Sequence, residues 1–215
     1  MTAMQRWLSS LAATVIAVVI SYSWLDRPIA LFFHREFPHP DAFEKLTHIP
    51  DPLVPLAVVG FVVIGLLALS GRQLTRIETA ILLSSVSLIV AEAIKNQLKV
   101  VFGRTWPDTW IQNNPSFIHD GVYGFNFFHG GMGYTSFPSG HTTVTCAVIS
   151  VLWIFYPRLR ALWLLAVLAV AVGLVGADYH FLSDVFGGAF VGVTTGWMIT
   201  LIWRQQTAAS LTAPE

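Results

Sequence analysis

Long apolar runs alternate with polar connections along most of this chain. A bilayer core takes about 20 mostly apolar residues per helix, and six stretches qualify: 8–24, 53–70, 77–98, 141–157, 161–179 and 184–203. The sequence shows no internal repeat and no linker between these stretches. We therefore predict an all-α integral membrane bundle of about six transmembrane helices, forming a single domain over residues 1–215.

Basic residues predict how the bundle is oriented. When the six spans alternate in direction, six arginines fall on one side, at positions 6, 72, 76, 158, 160 and 204. The positive-inside rule makes that side cytoplasmic, so both termini are expected in the cytoplasm and the long loops 25–52 and 99–140 outside. The first span could instead be a cleaved signal peptide, since an arginine precedes it and Ser21-Tyr22-Ser23 ends it. Cleavage would leave the remaining topology unchanged.

Composition agrees with a membrane protein. Of the 215 residues, 54% are hydrophobic and only 11% are charged, which does not suit a soluble domain. The formal net charge is zero, so no overall field favours nucleic acid as a partner. The lone cysteine, Cys146, has no partner for an intrachain disulfide.

The loop 25–52 interleaves charged residues with four phenylalanines at positions 32, 33, 37 and 43. Such a mixture is typical of an amphipathic segment that lies at the membrane interface. Two interpretations remain open: a plain connection with interfacial aromatics, or a lip over which a lipid head group enters.

The stretch FPSGHTTV, residues 137–144, predicts a helix start that can bind an anion. Ser139 is a good N-cap residue, Gly140 lets a ligand approach the backbone, and His141 stands in the first turn. A helix N-terminus offers unpaired N–H groups and the positive end of the dipole, and a histidine there can donate a proton to a leaving oxygen. The alternative is a plain capped helix whose histidine faces water.

The stretch GADYHFLSDVFGG, residues 176–188, places His180 and Asp184 four residues apart, on one face of a helical turn. A carboxylate bonded to one imidazole nitrogen makes the other nitrogen more basic, which is how an imidazole becomes a nucleophile or a base. A His–Asp capping pair at the start of the last helix is the alternative.

The stretch KVVFGRTWP, residues 99–107, carries Lys99 and Arg104 where the third span ends. The two cations could bind an anion or anchor the helix at the interface. The following loop contains His119 and His129, but two histidines without carboxylate or cysteine spacing do not predict a metal site. We expect no metal and no cofactor.

Topology brings these motifs together. Lys99 ends the third span, His141 opens the fourth, His180 ends the fifth and Asp184 opens the sixth. In alternating spans all four lie at the same membrane surface, and ionisable residues at membrane depth are functional candidates. Their convergence predicts a site for an anionic group.

With these motifs the chain resembles the type 2 phosphatidic acid phosphatase superfamily, specifically its six-span membrane branch. That family carries the signatures K-x6-RP, PSGH and SR-x5-H-x3-D. Here PSGH is complete at 138–141, the H-x3-D half is complete at His180 and Asp184, and Lys99 occupies the lysine position. The resemblance covers about residues 77–203.

The resemblance implies a catalytic role for three residues. His180 would attack phosphorus to form a phosphohistidine, Asp184 would orient His180, and His141 would protonate the departing oxygen. Lys99 and Arg104, together with Ser139 and Gly140 of the PSGH motif, would bind the phosphoryl oxygens, without a metal. Two departures stand out, because Trp106 replaces the RP arginine and Gly173-Leu174 replace the SR pair. Arg104 is the nearest substitute cation, and His119, His129 and Asn126 are candidates for a further donor.

The resulting expectation is a lipid phosphatase of a bacterial inner membrane, with its active site facing the periplasm or exterior. The lipid could be an isoprenyl pyrophosphate, phosphatidylglycerol phosphate, phosphatidate or a lipid A phosphate. A phosphotransferase that uses the same histidine remains open. A non-catalytic lipid-phosphate binder with a degenerate phosphate clamp is the alternative from another functional class, and a transporter is disfavoured because paired broken helices are lacking.

Overall fold

The computed structural model describes residues 1–38, 40–110 and 112–212, the last four of them by backbone alone. In that part of the chain the regular structure is helical, with isolated bridges and no strand. The α-helices are α1 (Ala3–Ile20), α2 (Asp26–Glu36), α3 (Asp41–Thr47), α4 (Leu53–Leu69), α5 (Arg76–Phe102), α6 (Phe117–Asp120), α7 (Gly140–Phe155), α8 (Arg160–Gly176) and α9 (Leu182–Thr212). A π-helical turn, Ser21–Leu25, joins α1 to α2 without a break.

Helix α5 has well-defined ends, and its C-terminal end positions Lys99. At the start, the Thr75 hydroxyl accepts from the Glu78 N–H at 3.3 Å and the Glu78 carboxylate accepts from the Thr75 N–H at 2.8 Å, which is a capping box. At the end, Gly103 has a φ of 53°, the left-handed conformation that suits glycine. A Cβ on Gly103 would lie 1.9 Å from the Asn126 carbonyl oxygen, so only glycine fits there.

Helices α5, α7 and α9 pack against one another at the centre of the bundle, with α4 on α5 and α1 on α9. Glycines on α9 let it approach α7 closely: a Cβ at Gly192 would lie 2.4 Å from the Thr143 carbonyl oxygen. Small residues at such a crossing allow backbones to pack where lipid supplies no hydrophobic driving force. This contact holds the start of α9 beside the start of α7.

Helix α3 occupies the loop between the first two predicted spans and lies against α8. The contact requires Gly173, because a Cβ there would lie 2.7 Å from the Leu46 Cβ and 2.9 Å from the Phe43 carbonyl oxygen. The predicted amphipathic segment of residues 25–52 thus comprises α2 and α3, and part of it packs on the bundle.

Among the described residues, four helices are long and apolar enough to cross a membrane: Ala3–Glu36, Arg76–Phe102, Pro157–Gly176 and Leu182–Ala208. Helices α4 and α7, which match the second and fourth predicted spans, are shorter, with 17 and 16 residues. The all-helical membrane architecture is confirmed. Six spans, and the sides on which the termini lie, remain predictions.

Candidate active site

One cavity of about 680 Å³ lies where the end of α5, the start of α7 and the α8–α9 turn meet. Its walls contain four of the residues predicted for the site, namely Lys99, Gly140, His141 and His180. The remaining lining residues are Pro50, Asp51, Val54, Glu92, Lys95, Trp106, Trp110, Val144 and Tyr179. The structure therefore brings the separate motifs to one place.

His180 is 4% exposed, and its two ring nitrogens have different surroundings. Nδ1 lies 3.4 Å from an Asp184 oxygen and 3.4 Å from the Ser136 hydroxyl. Burial lowers the pKa of His180 to about 4, against the opposing effect of Asp184. The ring is therefore neutral near pH 7, and Nε2 is the nitrogen left to react.

Asp184 holds its position through the local structure of α9. Its carboxylate accepts from the Phe181 N–H at 3.0 Å, just before the first turn of the helix, and from the Ser136 hydroxyl at 2.6 Å. An acidic side chain that reaches back to the residue before the helix is the reciprocal half of a capping box. The same bonds that begin α9 therefore aim Asp184 at His180.

His141 also lines the cavity, from the first turn of α7, and its side chain is 40% exposed. Its Nε2 lies 3.7 Å from one oxygen of Asp51, whose other oxygen lies 2.7 Å from His48 Nδ1. A partly exposed imidazole beside a carboxylate can exchange protons with water and with a bound group. Asp51 belongs to the loop 25–52, where the sequence carried no signal for a site residue.

The two central residues of the PSGH motif have different environments. Ser139 is fully buried, and its hydroxyl accepts from the Thr142 N–H at 3.4 Å and from the Thr142 hydroxyl at 3.1 Å. The serine thus caps α7, as predicted, and lies outside the cavity wall. Gly140 does line the cavity, and a Cβ there would lie 3.5 Å from Lys95 Nζ.

Two lysines from one face of α5 supply positive charge to the cavity. Lys99 donates to the Thr135 carbonyl oxygen at 2.6 Å, and Lys95 lies 2.7 Å from a carboxylate oxygen of Glu92. Lys95 is a cavity residue that the sequence motifs do not predict. The available signal was its charge within an apolar span, four residues before Lys99 and so on the same helix face.

Arg104 lies behind His180 rather than on the cavity wall. Its side chain is fully buried, and it pairs with Asp184 at 2.5 Å and with Asp26 at 2.7 Å. The Phe181 ring lies 4.4 Å from the guanidinium carbon. Burial by itself lowers the pKa of Arg104, but the two carboxylates outweigh burial and raise it above its ordinary value. Arg104 is not among the residues that line the cavity, and the phosphate contact that the resemblance implies for it stays a prediction.

The positions of the two family arginines are filled by apolar side chains. The Trp106 ring lies 5.1 Å from the His180 ring and has Lys99 Nζ 5.6 Å from its centre. Leu174 is fully buried and Gly173 contacts α3. At both positions an apolar side chain stands where the family signature has an arginine.

The other donors considered from the sequence also lie away from the cavity wall. His119 pairs with Asp108 at 2.8 Å, His129 contacts the Gly130 carbonyl oxygen at 2.7 Å, and Asn126 donates to the Gly103 carbonyl oxygen at 3.3 Å. Among the described residues, positive charge at the cavity therefore comes from the two lysines of α5.

Two curated relatives are similar in sequence. A lipid A 1-phosphatase of Rhizobium etli is 26% identical over 206 residues, covering 91% of this chain and 83% of the relative. A lipid A 1-phosphatase of Rhizobium johnstonii is 26% identical over 120 residues, covering 55% of this chain and 46% of that relative.

The fold matches a solved structure, a transmembrane PAP2-type phosphatidylglycerolphosphate phosphatase from Bacillus subtilis. The TM-score is 0.57 with 16% sequence identity, covering 93% of this chain and 96% of the other. The family model for the PAP2 superfamily matches residues 80–208, which include every cavity-lining residue except Pro50, Asp51 and Val54. The chain belongs to the PAP2 superfamily.

Proposed function

We propose that this membrane lipid phosphatase hydrolyses its substrate through a phosphohistidine on His180. The observation that carries the proposal is the position of His180: Nδ1 is held by Asp184 and the rest of the ring lines a cavity shared with Lys99 and His141. A neutral imidazole with one nitrogen fixed by a carboxylate is suited to nucleophilic attack.

The chemistry follows in two steps. In the first, His180 Nε2 attacks phosphorus, the bond to the lipid oxygen breaks, and His141 gives that oxygen a proton. In the second, a water attacks the phosphohistidine, the P–N bond breaks, and His141 takes the proton of the water. Asp184 stabilises the charge on the imidazole in both steps.

Charge on the transferring phosphoryl group must be met by fixed donors. We assign this role to the ammonium groups of Lys95 and Lys99, which line the cavity, and to the amides at the start of α7, where Gly140 and His141 line it. Arg104 contacts the Asp184 oxygen that does not face His180, so it contributes to catalysis by holding Asp184 in place. We assign it a positioning role.

For the substrate we propose a lipid phosphomonoester, with the 1-phosphate of lipid A as the first candidate. The curated relatives are lipid A 1-phosphatases, and the Rhizobium etli protein is matched over most of its length. Phosphatidylglycerol phosphate, phosphatidate and isoprenyl pyrophosphate are the further candidates. The arginine distribution supports an active site at the outer face of a bacterial inner membrane.

The test is phosphate release by the purified protein from each of these lipids. We expect release from at least one lipid, and a loss of at least 1,000-fold in His180→Ala, since the covalent step cannot form. His129→Ala is the matched control, because that histidine lies outside the cavity. Release that persists in His180→Ala would refute the mechanism.

Two other outcomes identify the alternatives. Loss of phosphate from the donor lipid together with its appearance on a second lipid would identify a phosphotransferase. Saturable binding of a lipid phosphate without turnover would identify a binder, which the apolar residues at 106 and 174 favour.

A further inference from the structure

A second cluster of ionisable side chains lies beside the cavity and is not used in the proposed reaction. His34, at the end of α2, lies 3.2 Å from a carboxylate oxygen of Asp178 in the α8–α9 turn. His119, in α6, lies 2.8 Å from a carboxylate oxygen of Asp108. The cluster therefore joins three segments that are distant in sequence.

Three of the four residues form one group, and His119 adjoins that group through Asp108. One ligand atom each from His34, Asp108 and Asp178 lie within 4.8 Å of one another. The His34 and His119 rings are 6.5 Å apart, edge to face. Ligand atoms of a tetrahedral zinc site are about 3.3 Å apart when the bonds are about 2.0 Å, so the side chains, His119 above all, would have to rotate inward to bind one ion.

One carboxylate oxygen of Asp178 is buried and has no partner in either ion pair of the cluster. The Asp178 side chain is 9% exposed, and its Oδ1 is buried without a hydrogen-bond partner while Oδ2 faces His34. Buried carboxylate oxygens are normally satisfied by a donor or a cation. A metal ion that binds Asp178 through Oδ1 would supply that cation.

We propose that His34, Asp108, His119 and Asp178 bind one divalent transition metal, for which Zn²⁺ is the probe. Two imidazoles and two carboxylates match the nitrogen and oxygen ligands of Zn²⁺. The histidine side chains are 41% and 59% exposed, so an ion can enter from solvent.

Such an ion would support the wall of the cavity. The Asp178 carbonyl oxygen accepts from Trp110 Nε1 at 3.1 Å, and Trp110 lines the cavity. Asp178 also stands two residues before His180. The ion would tie α2, the loop before α7 and the α8–α9 turn together, which is a structural role outside the reaction.

The experiment is calorimetric titration of Zn²⁺ into the full chain in detergent, after removal of any histidine tag and treatment with EDTA. We expect one ion per chain and a higher Tm in its presence. His119→Gln and Asp108→Asn should each weaken Zn²⁺ binding at least about tenfold. His119→Gln is the safer variant, because that side chain is mostly exposed and its loss leaves the fold intact.

Two controls locate the site. His129→Gln alters a histidine outside the cluster, and His180→Ala alters the cavity; both should bind Zn²⁺ as the unaltered chain does. Co²⁺ in place of Zn²⁺ should give the intense visible absorption of a tetrahedral ion, and His119→Gln should lose it. Absence of stoichiometric binding, or equal affinity in the cluster variants and the controls, would overturn the proposal and leave two separate ion pairs.

Discussion

The buried position of Arg104 leads to a prediction that separates support of the nucleophile from direct binding of phosphate. Arg104→Met keeps the length of the side chain and removes its charge. The change leaves Asp26 and Asp184 buried without the cation that both contact. Removing one partner of a buried ion pair costs about 3–5 kcal/mol, and here two carboxylates lose the same partner.

Catalysis should suffer through Asp184. One of its oxygens contacts Arg104 and the other faces His180, so the carboxylate can turn or take a proton once the guanidinium is gone. A displacement of a reacting group by about 1 Å can lower the rate on the order of 100-fold. We therefore expect kcat to fall by about that factor while KM changes little.

The assay is steady-state phosphate release from detergent-solubilised lipid, with Tm measured on the same samples. Arg27→Met is the matched control, since Arg27 is an exposed arginine over the Tyr123 ring. The double variant Arg104→Met with Asp26→Asn removes one of the two carboxylates that the single variant leaves without a cation. It should recover part of the lost Tm without recovering kcat. A raised KM with unchanged kcat and Tm would refute the reasoning and make Arg104 a phosphate ligand.

Three further predictions concern the cavity and its surroundings. Lys99→Met should lower kcat/KM for a lipid phosphate by about tenfold or more, because a charge-assisted contact to the phosphoryl group is lost. Burial lowers the pKa of His180 from 6.5 to about 4, so between pH 6.5 and about pH 4 the unfolded chain binds more protons than the folded chain. Stability should then decline as pH falls, by about 2 kcal/mol at pH 5, and His180→Gln should flatten the dependence of Tm on pH. Gly173→Ser should lower Tm, because its Cβ would lie 2.7 Å from that of Leu46, and overpacking costs about 1–3 kcal/mol.

Each of these predictions has a control or a contradicting result. Lys45→Met removes a lysine outside the cavity wall and should leave kcat/KM unchanged. If Tm depends on pH in His180→Gln as it does in the unaltered chain, the loss of stability at low pH does not come from protonation of His180. Gly65→Ser introduces the same side chain on α4, where nothing lies within 4 Å of the new Cβ. An equal loss of Tm in the two serine variants would attribute the effect to helix propensity rather than to α3.

Much of this arrangement follows from patterns that are local in sequence. Apolar run lengths predict the helices, and alternating direction predicts that Lys99, His141 and His180 meet. These predictions rest on helix geometry and bilayer thickness, which apply to each segment separately. The spacing of His180 and Asp184 also places them on one face before any tertiary contact is known.

The partner of Arg104 could not be found in this way. It pairs with Asp26, 78 residues earlier, because the π-helical turn extends the first helix into α2 and brings that carboxylate beneath the α8–α9 turn. From sequence alone, Arg104 was the cation nearest to the missing family arginine, so a phosphate contact was expected. A long cationic side chain turns toward the buried carboxylates that it can pair with. The positions of those carboxylates depend on how the helices of the bundle pack together.

The departures from the family signatures are connected in space. Gly173 makes room for α3, and the chain that follows α3 brings Asp51 to the cavity beside His141. Trp106 covers the other side of His180. In the proposed mechanism, lysine point charges and helix amides would bind phosphate in place of planar guanidinium forks, and lysine imposes less geometry on the oxygens it contacts. Since that mechanism gives weaker geometric selection at phosphorus, we expect discrimination between lipids to come from the other cavity walls, which include Trp110, Tyr179, Pro50 and Val54.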